Sequence, residues 1–563
     1  MTYQPQNPLI VQSDQTVLLE VMNPQFEEAR DLLSRFAELV KSPEHIHTYQ
    51  ITPLSLWNAA ASGMDAQSII DGLERLSKYP LPQNLKQDIK DYIARYGRVQ
   101  LRRGSGGALL LQSDDPILLT EIWHNKQVRR YLLEQRPDGL VVDPARRGHV
   151  KQAMIKAGIP VEDLAGYTPG TPMPISLRST TLTGLPFSLR PYQQQAVNAF
   201  YKGGSIFGGS GVICLPCGAG KTVVGMGAMA AIKEQTLILT TNITAVRQWI
   251  DELLDKTSLT REEIGEYTGE IKQIRPVTIS TYQMLTYREP GDEQEFPHFR
   301  LFNARAWGLV IYDEVHLLPA PVFRITAEIQ AMRRLGLTAT LIREDGREED
   351  VFSLIGPKRF DMPWKLLEGQ GFIAEALCHE IRVALHPDCR IPYANASDRA
   401  KFRIASENPD KLPLVRELVH RHEGDMILII GQYLDQLETI AAMLDAPLIT
   451  GRVPNREREA LYAKFRRGEI KILVVSKVAN FAVDLPDANV AIQVSGTFGS
   501  RQEEAQRLGR ILRPKSDGGS AYFYTLVTRD TKEQTFAANR QLFLTEQGYR
   551  YQISHAEDFL ANG

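Results

Sequence analysis

The sequence predicts an α/β protein: two parallel-sheet lobes in tandem, preceded by smaller mixed α/β N-terminal domains. Three observations predict it. First, short uninterrupted apolar runs alternate with helical stretches, in two series. The first series is 211–215, 236–240, 277–280, 308–312 and 335–338; the second is 426–430, 471–476, 490–494 and 521–527. Strands apolar on both faces belong to parallel sheets covered by helices on either side. Second, Pro169, Gly170, Pro172 and Pro174 break the chain just before the first series, because clustered prolines and glycine oppose helix and favour a linker. Third, the first run feeds a glycine-rich turn that opens an apolar helix.

The bulk composition bounds the function. The chain has 563 residues, 43% hydrophobic and 23% charged, enough for several packed domains. A net charge of −2 announces no nucleic-acid partner, so any such surface has to be a local basic groove. Four cysteines, Cys214, Cys217, Cys378 and Cys389, are too few for a disulfide scaffold and fit a reducing compartment. No apolar run approaches the roughly 18 residues of a membrane span, and residues 1–15 lack the basic-then-apolar pattern of a signal peptide. A cytoplasmic protein without a membrane partner is expected.

Five segments follow from the pattern: 1–130, mixed α/β, with helical spacing over 26–40; 131–174, a small module whose basic helix over 146–156 is expected to face DNA, and the proline-rich linker; lobe one over 175–370; lobe two over 371–540, with a polar, loop-like insertion at 386–411; and a tail over 541–563. His45 and His47 alternate on one strand face, but no further ligands stand at metal spacing, and packing explains them.

The turn after the first run reads Pro216-Cys217-Gly218-Ala219-Gly220-Lys221-Thr222. Glycines let backbone N–H groups close around phosphate oxygens, and the following helix N-terminus adds a favourable dipole. Lys221 suits the β and γ phosphates of ATP, and Thr222 suits Mg²⁺. A strict phosphate-loop pattern has glycine where this chain has Leu215. Cys214 and Cys217 flank this loop, which accounts for small residues there without a redox role.

The run 309–312 delivers Asp313-Glu314-Val315-His316. Consecutive strand residues point to opposite faces, so the two acids can take different roles. Asp313 suits Mg²⁺, and Glu314 suits the attacking water. His316 is placed to link them to Leu337-Thr338-Ala339-Thr340. In Gln506-Arg507-Leu508-Gly509-Arg510-Ile511-Leu512-Arg513, Arg510 and Arg513 share a helix face and can stabilise charge on a transferring phosphoryl group, with Gln506 beside them.

These motifs, in this order, resemble superfamily 2 helicases, whose lobes are RecA-like. Leu189-Arg190-Pro191-Tyr192-Gln193 looks like the adenine-reading motif, with Arg190 and Gln193 at the nucleotide. The segment 474–485, with Asp484, looks like motif V. Finer matches resemble the XPB family: Arg343-Glu344-Asp345 directly after Thr340, the stretches 352–357 and 496–505, and Ile51-Thr52-Pro53-Leu54-Ser55-Leu56-Trp57 as in bacterial homologues. The resemblance covers nearly the whole chain. It implies ATP-dependent 3′→5′ DNA unwinding with Mg²⁺, a role in DNA repair, and a thumb at 386–411. It implies that segment 240–249 and Thr281-Tyr282-Gln283 contact strand phosphates, and that Arg343, Glu344 and Asp345 act at the fork. Forked, bubble or junction DNA is the expected partner, with a repair nuclease as a protein partner, and the chain is expected to act as a monomer. Two alternatives stay open: a duplex translocase that remodels DNA with little unwinding, and an ATP-gated scaffold that recruits a nuclease. Arg95, Arg98, Arg102, Arg103, Arg129, Arg130, Arg146 and Arg147 form basic clusters, more often solvated faces than DNA contacts.

Overall fold

The computed structural model describes residues 3–41, 45–216, 218–288, 296–330, 332–339, 348–362, 367, 376–476, 488–496, 521–546, 549 and 551–561. The chain begins with an antiparallel sheet of β1 (Leu9–Val11), β2 (Thr16–Glu20), β3 (Glu38–Lys41) and β4 (Ile46–Gln50), in the order β1-β2-β4-β3. Alternation along β2 turns Val17 and Leu19 inward, where they meet Phe26, Leu33 and Ile89. The helix expected over 26–40 stops at Leu33. Phe36 and Leu39 reach the same core from a turn and from β3, which pairs with β4 instead of continuing the helix. His47 is buried edge-on to Phe26, so packing accounts for it.

A second sheet contains β5 (Val99–Arg103), β6 (Leu109–Gln112), β7 (Leu132–Arg136), β8 (Gly139–Val142) and β9 (Val161–Asp163), in the order β7-β8-β6-β5-β9. Pairing of β6 with β8 spans residue 130. The boundary expected there therefore moves back to the turn between the helix Gln83–Arg95 and β5. The helix Arg147–Lys156 was expected to face DNA. Its Arg147 and Lys151 are instead buried on Asp163, at 2.7 and 2.9 Å. Burial opposes ionisation of Asp163, but the two cations outweigh it and hold the carboxyl well below its usual range. Gly148 lies so close to lobe one that a Cβ would stand 2.5 Å from the Ala327 carbonyl oxygen. The two buried cations of this helix serve packing within this unit. The linker 167–174 contains no helix, as expected, yet it is no loose tether. The Thr171 N–H donates to the Ala306 carbonyl at 2.8 Å, and the Met173 N–H to that of Lys233 at 2.9 Å.

Lobe one is a seven-stranded sheet of β10 (Ser210–Cys214), β11 (Thr236–Thr240), β12 (Ile264–Tyr267), β13 (Val277–Thr281), β14 (Leu309–Asp313), β15 (Arg333–Thr338) and β16 (Lys358–Asp361). Its order is β12-β13-β11-β14-β15-β10-β16, with every neighbouring pair parallel. Lobe two repeats the plan with β17 (Ala376–Val383), β18 (Ile427–Gly431), β19 (Leu448–Ile449), β20 (Ile472–Ser476), β21 (Val490–Gln493), β22 (Ala521–Thr528) and β23 (Tyr551–His555), ordered β19-β20-β18-β21-β22-β17-β23 and again parallel. All nine apolar runs read from the sequence are strands of these two RecA-like lobes.

Lobe two corrects two expectations. The segment 386–411 is helical rather than loop-like: Pro387–Asn395 and Asp398–Ser406 pack on each other between β17 and β18. The expected tail completes the lobe. The helix Lys532–Glu546 runs into it, β23 pairs with β17 at the sheet edge, and the helix Ala556–Ala561 follows.

Removing the shared acid of the Arg147–Asp163–Lys151 cluster leaves two buried cations facing each other. Asp163→Asn is therefore expected to cost about 3 kcal/mol, the scale for breaking a buried pair from one side. Calorimetric melts of the variant and the parent chain would show it as a transition displaced downward by several degrees.

Candidate active site

Three neighbouring strands of lobe one deliver the sequence-predicted groups to a single rim. In the order β14-β15-β10, Asp313 is level with Leu337, and Thr338 with Cys214. The carboxyl ends of adjacent parallel strands are where ligands of such sheets bind. After β10 the chain turns through Pro216, Gly218, Ala219 and Gly220 into the helix Lys221–Ile232. Gly218 and Gly220 have φ of 80° and 82°, a left-handed conformation that costs side-chain-bearing residues about 1–2 kcal/mol. The turn thereby leaves the first N–H groups of the helix pointing out of the loop, where an anion binds well. Cys217 lies outside the described residues. Cys214 is buried, and burial pushes its thiol up, away from the thiolate that redox chemistry needs.

The acids face the loop. Lys221 Nζ stands 2.6 Å from Glu314 Oε1. Glu314 itself has φ of 50°, a conformation rare outside glycine and concentrated at functional sites. Both Asp313 oxygens are engaged: Oδ2 accepts the Trp249 indole N–H at 2.8 Å, and Oδ1 the Glu314 backbone N–H at 3.1 Å. Burial, then repulsion from Glu314, pushes the Asp313 carboxyl up to about 6. Burial also opposes the charge on Glu314, but Lys221 and His316 outweigh it and hold that carboxyl below its ordinary value. His316 Nδ1 lies 2.6 Å from Thr338 Oγ1 and 3.5 Å from Glu314 Oε2, so the link read from the sequence is formed.

The donor set fits a nucleotide with a divalent cation. One ammonium faces two adjacent carboxylates, and the raised Asp313 carboxyl marks a place short of positive charge. Thr222, in the first turn of the helix, and Asp313 supply the hard oxygens Mg²⁺ prefers. Among the described residues no group of three or more His, Cys, Asp or Glu side chains forms a separate metal site.

Gln193 is buried against the loop. Its Oε1 accepts the Arg190 N–H at 2.9 Å, and its Nε2 donates to the Ala219 carbonyl at 3.0 Å. The Tyr192 hydroxyl donates to the same carbonyl at 2.7 Å. The motif thus grips the phosphate loop. On the opposite side of β14, the Thr281 hydroxyl accepts the Met284 N–H as a helix cap, whereas Gln283 is exposed. Tyr192, Trp249 and Tyr282 touch the site's residues without having been singled out for it. All three lie inside motifs read for their neighbours, Trp249 as the last residue of segment 240–249, on an amphipathic helix. Thr340, Arg343, Glu344, Asp345, Asp484, Gln506, Arg510 and Arg513 lie outside the described residues.

Three family models match the chain: ERCC3/RAD25/XPB C-terminal helicase over residues 367–561, type III restriction enzyme, res subunit, over 186–343, and helicase conserved C-terminal domain over 9–137. The chain is 55% identical over 552 residues to the DNA 3′-5′ helicase XPB of Kineococcus radiotolerans, covering 98% of this chain and 97% of that protein. It is 56% identical over 554 residues to the DNA 3′-5′ helicase XPB of Mycobacterium tuberculosis, covering 98% of each. It is 32% identical over 571 residues to the general transcription and DNA repair factor IIH helicase/translocase subunit XPB of Enterocytozoon bieneusi, covering 97% and 92%.

A Cβ on Gly220 would stand 2.5 Å from Gln193 Nε2 at a φ that already disfavours it. Gly220→Ala is expected to displace Gln193 and weaken binding of a fluorescent ATP analogue by about tenfold, the equivalent of roughly 1.4 kcal/mol. A fluorescence titration beside wild type checks it.

Proposed function

Because this chain belongs to the XPB family of DNA helicases, we propose that it is an ATP-dependent 3′→5′ DNA helicase that uses the Lys221–Asp313–Glu314 site to drive strand movement. The observation that carries this reading is the 2.6 Å ion pair between the loop lysine and the second acid. An arriving triphosphate competes with Glu314 for Lys221. Once Lys221 turns to phosphate, Glu314 loses its cation and becomes a hydrogen-bond acceptor able to orient a water. Bound Mg²⁺ supplies the charge that keeps Asp313 ionised and polarises the terminal phosphate. Thr222 and Asp313 hold it; Gln193 and Arg190 border the base.

The remaining parts of the cycle follow from the motifs. His316 and Thr338 relay a change at Glu314 into the segment after β15. Gln506, Arg510 and Arg513, with Asp484, complete the site from lobe two, so turnover requires the lobes to close. Segment 240–249, Thr281 and Gln283 grip the phosphate backbone, which positions a strand without reading its sequence. Arg343, Glu344 and Asp345 act where the duplex parts, and Thr338 and Thr340 couple them to the nucleotide site. Forked, bubble or junction DNA is the substrate. The repair names of its relatives support a place in DNA repair; the proposed protein partner there is a nuclease that cuts the opened strand. No described helix is long and apolar enough to cross a membrane. The proposed site of action is the cytoplasm, at the nucleoid.

ATP turnover is expected to rise at least tenfold on addition of forked DNA. Lys221→Ala should abolish turnover and weaken nucleotide binding, whereas Glu314→Gln should abolish turnover while still binding nucleotide. Phosphate-release assays with and without DNA, paired with nucleotide titrations, separate these outcomes. Turnover indifferent to DNA in the wild-type chain would contradict the motor.

A further inference from the structure

Two hydrogen bonds reach Asp313 from the side of β14 opposite the phosphate loop. The Trp249 indole N–H donates to Oδ2 at 2.8 Å, and the Tyr282 hydroxyl donates to the Asp313 backbone carbonyl at 2.8 Å. The donors come from separate elements. Trp249 lies in the helix Ile243–Lys256, which follows β11; Tyr282 opens the helix Tyr282–Leu285, which follows β13. These belong to the two segments, 240–249 and 281–283, whose hydroxyls, amides and helix N-termini suit strand phosphates. Sheet order explains the convergence. In β13-β11-β14-β15-β10, both segments leave strands on one side of β14, and the phosphate loop leaves β10 on the other. Asp313 ends the strand between them.

Both donors are held in place. Trp249 is 1% exposed and Tyr282 3%. Behind the indole, Gly225 of the helix Lys221–Ile232 lies so near that a Cβ would stand 2.6 Å from the ring carbon Cη2. The ring is therefore wedged between the phosphate-loop helix and the carboxylate. A buried indole N–H needs an acceptor, and the acceptor here is one oxygen of the carboxylate that has to face a cation. Hydrogen bonds to ionised groups are short and directional. A small shift of the helix Ile243–Lys256 changes the aim of Asp313.

We propose that Trp249 and Tyr282 are positioning residues that turn DNA engagement by segments 240–249 and 281–283 into placement of Asp313; this rests on the helicase reading above. Trp249 sets the direction of the carboxylate. Tyr282 anchors the backbone from which Asp313 and Glu314 both project. A bound strand fixes the two segments, and the two hydrogen bonds carry that order to the hydrolytic site, so DNA accelerates turnover through its metal side.

Trp249→Phe keeps a ring in the wedge and deletes the N–H; Tyr282→Phe deletes one hydroxyl. At saturating DNA, the ratio of DNA-stimulated to DNA-free turnover is expected to fall about tenfold in Trp249→Phe and about threefold in Tyr282→Phe, the scale of one hydrogen bond to a charged and to a neutral group. The double variant should lose less than the product of the two, because both act on one residue. Mn²⁺ binding to the complex with a non-hydrolysable ATP analogue, followed by electron paramagnetic resonance, should weaken about threefold or more in Trp249→Phe at an unchanged melting temperature, which a purely packing role would not produce. Wild-type ratios and Mn²⁺ affinity in both variants would overturn the coupling and leave the helicase reading standing. A wild-type chain whose turnover DNA does not accelerate would overturn both. If Trp249→Phe melts below the assay temperature, the ratio in Tyr282→Phe decides.

Discussion

Two carboxylates on consecutive residues at the end of a buried strand cannot both stay ionised without a cation close by. Asp313 and Glu314 are in that position, and Lys221 is the cation that reaches them. The pairing constrains much of lobe one. The lysine has to stand at the start of a helix, the helix has to follow a loop tight enough to need Gly218 and Gly220 in the left-handed region, and the loop has to leave a strand two places from β14. A site that keeps its lysine on a carboxylate is also a site that phosphate can rearrange. The ion pair stabilises the resting arrangement and sets what the nucleotide has to displace.

The parallel sheet makes this arrangement possible by geometry. All its strands end on the same rim, spaced about 4.8 Å apart, so neighbouring strands present different chemistry within side-chain reach. β14 is the divide. On one side, β15 carries Thr338 and β10 carries the phosphate loop; on the other, β11 and β13 carry the segments suited to a nucleic-acid backbone. Contacts to Asp313, Glu314 and their neighbours therefore run from both sides into one acidic pair: His316 and Thr338 from the nucleotide side, Trp249 and Tyr282 from the other. The N-terminal units are packed onto this lobe rather than strung before it, through Gly148 against Ala327 and through the linker on Ala306 and Lys233.

Central strands were legible because burial on both faces leaves an unbroken apolar run; 236–240 was read to the residue. Edge and short strands were not. β16 reads Lys-Arg-Phe-Asp and β23 Tyr-Gln-Ile-Ser-His, since one side of an edge strand faces solvent. The helix Pro387–Asn395 buries none of its residues and so shows no apolar periodicity. The boundary at 130 failed because pairing of β6 with β8 is non-local, and the burial of Arg147 depended on Asp163, sixteen residues further on. In the site, Lys221, Asp313 and Glu314 were legible because phosphate and metal chemistry fixes residue type and spacing. The Trp249 contact was not, because it joins residues 64 apart, and segment 240–249 was read for its contacts to strand phosphates, not to Asp313.

The central claim is that chemistry at the Lys221–Asp313–Glu314 site moves this chain along DNA in one direction. Stopped-flow translocation on single-stranded DNA carrying a dye at either end tests it most directly. The expected result is an ATP-dependent signal whose delay grows with strand length when the dye is at the 5′ end, and no such delay when it is at the 3′ end. Equal signals from both ends, or movement that persists without ATP, would contradict it.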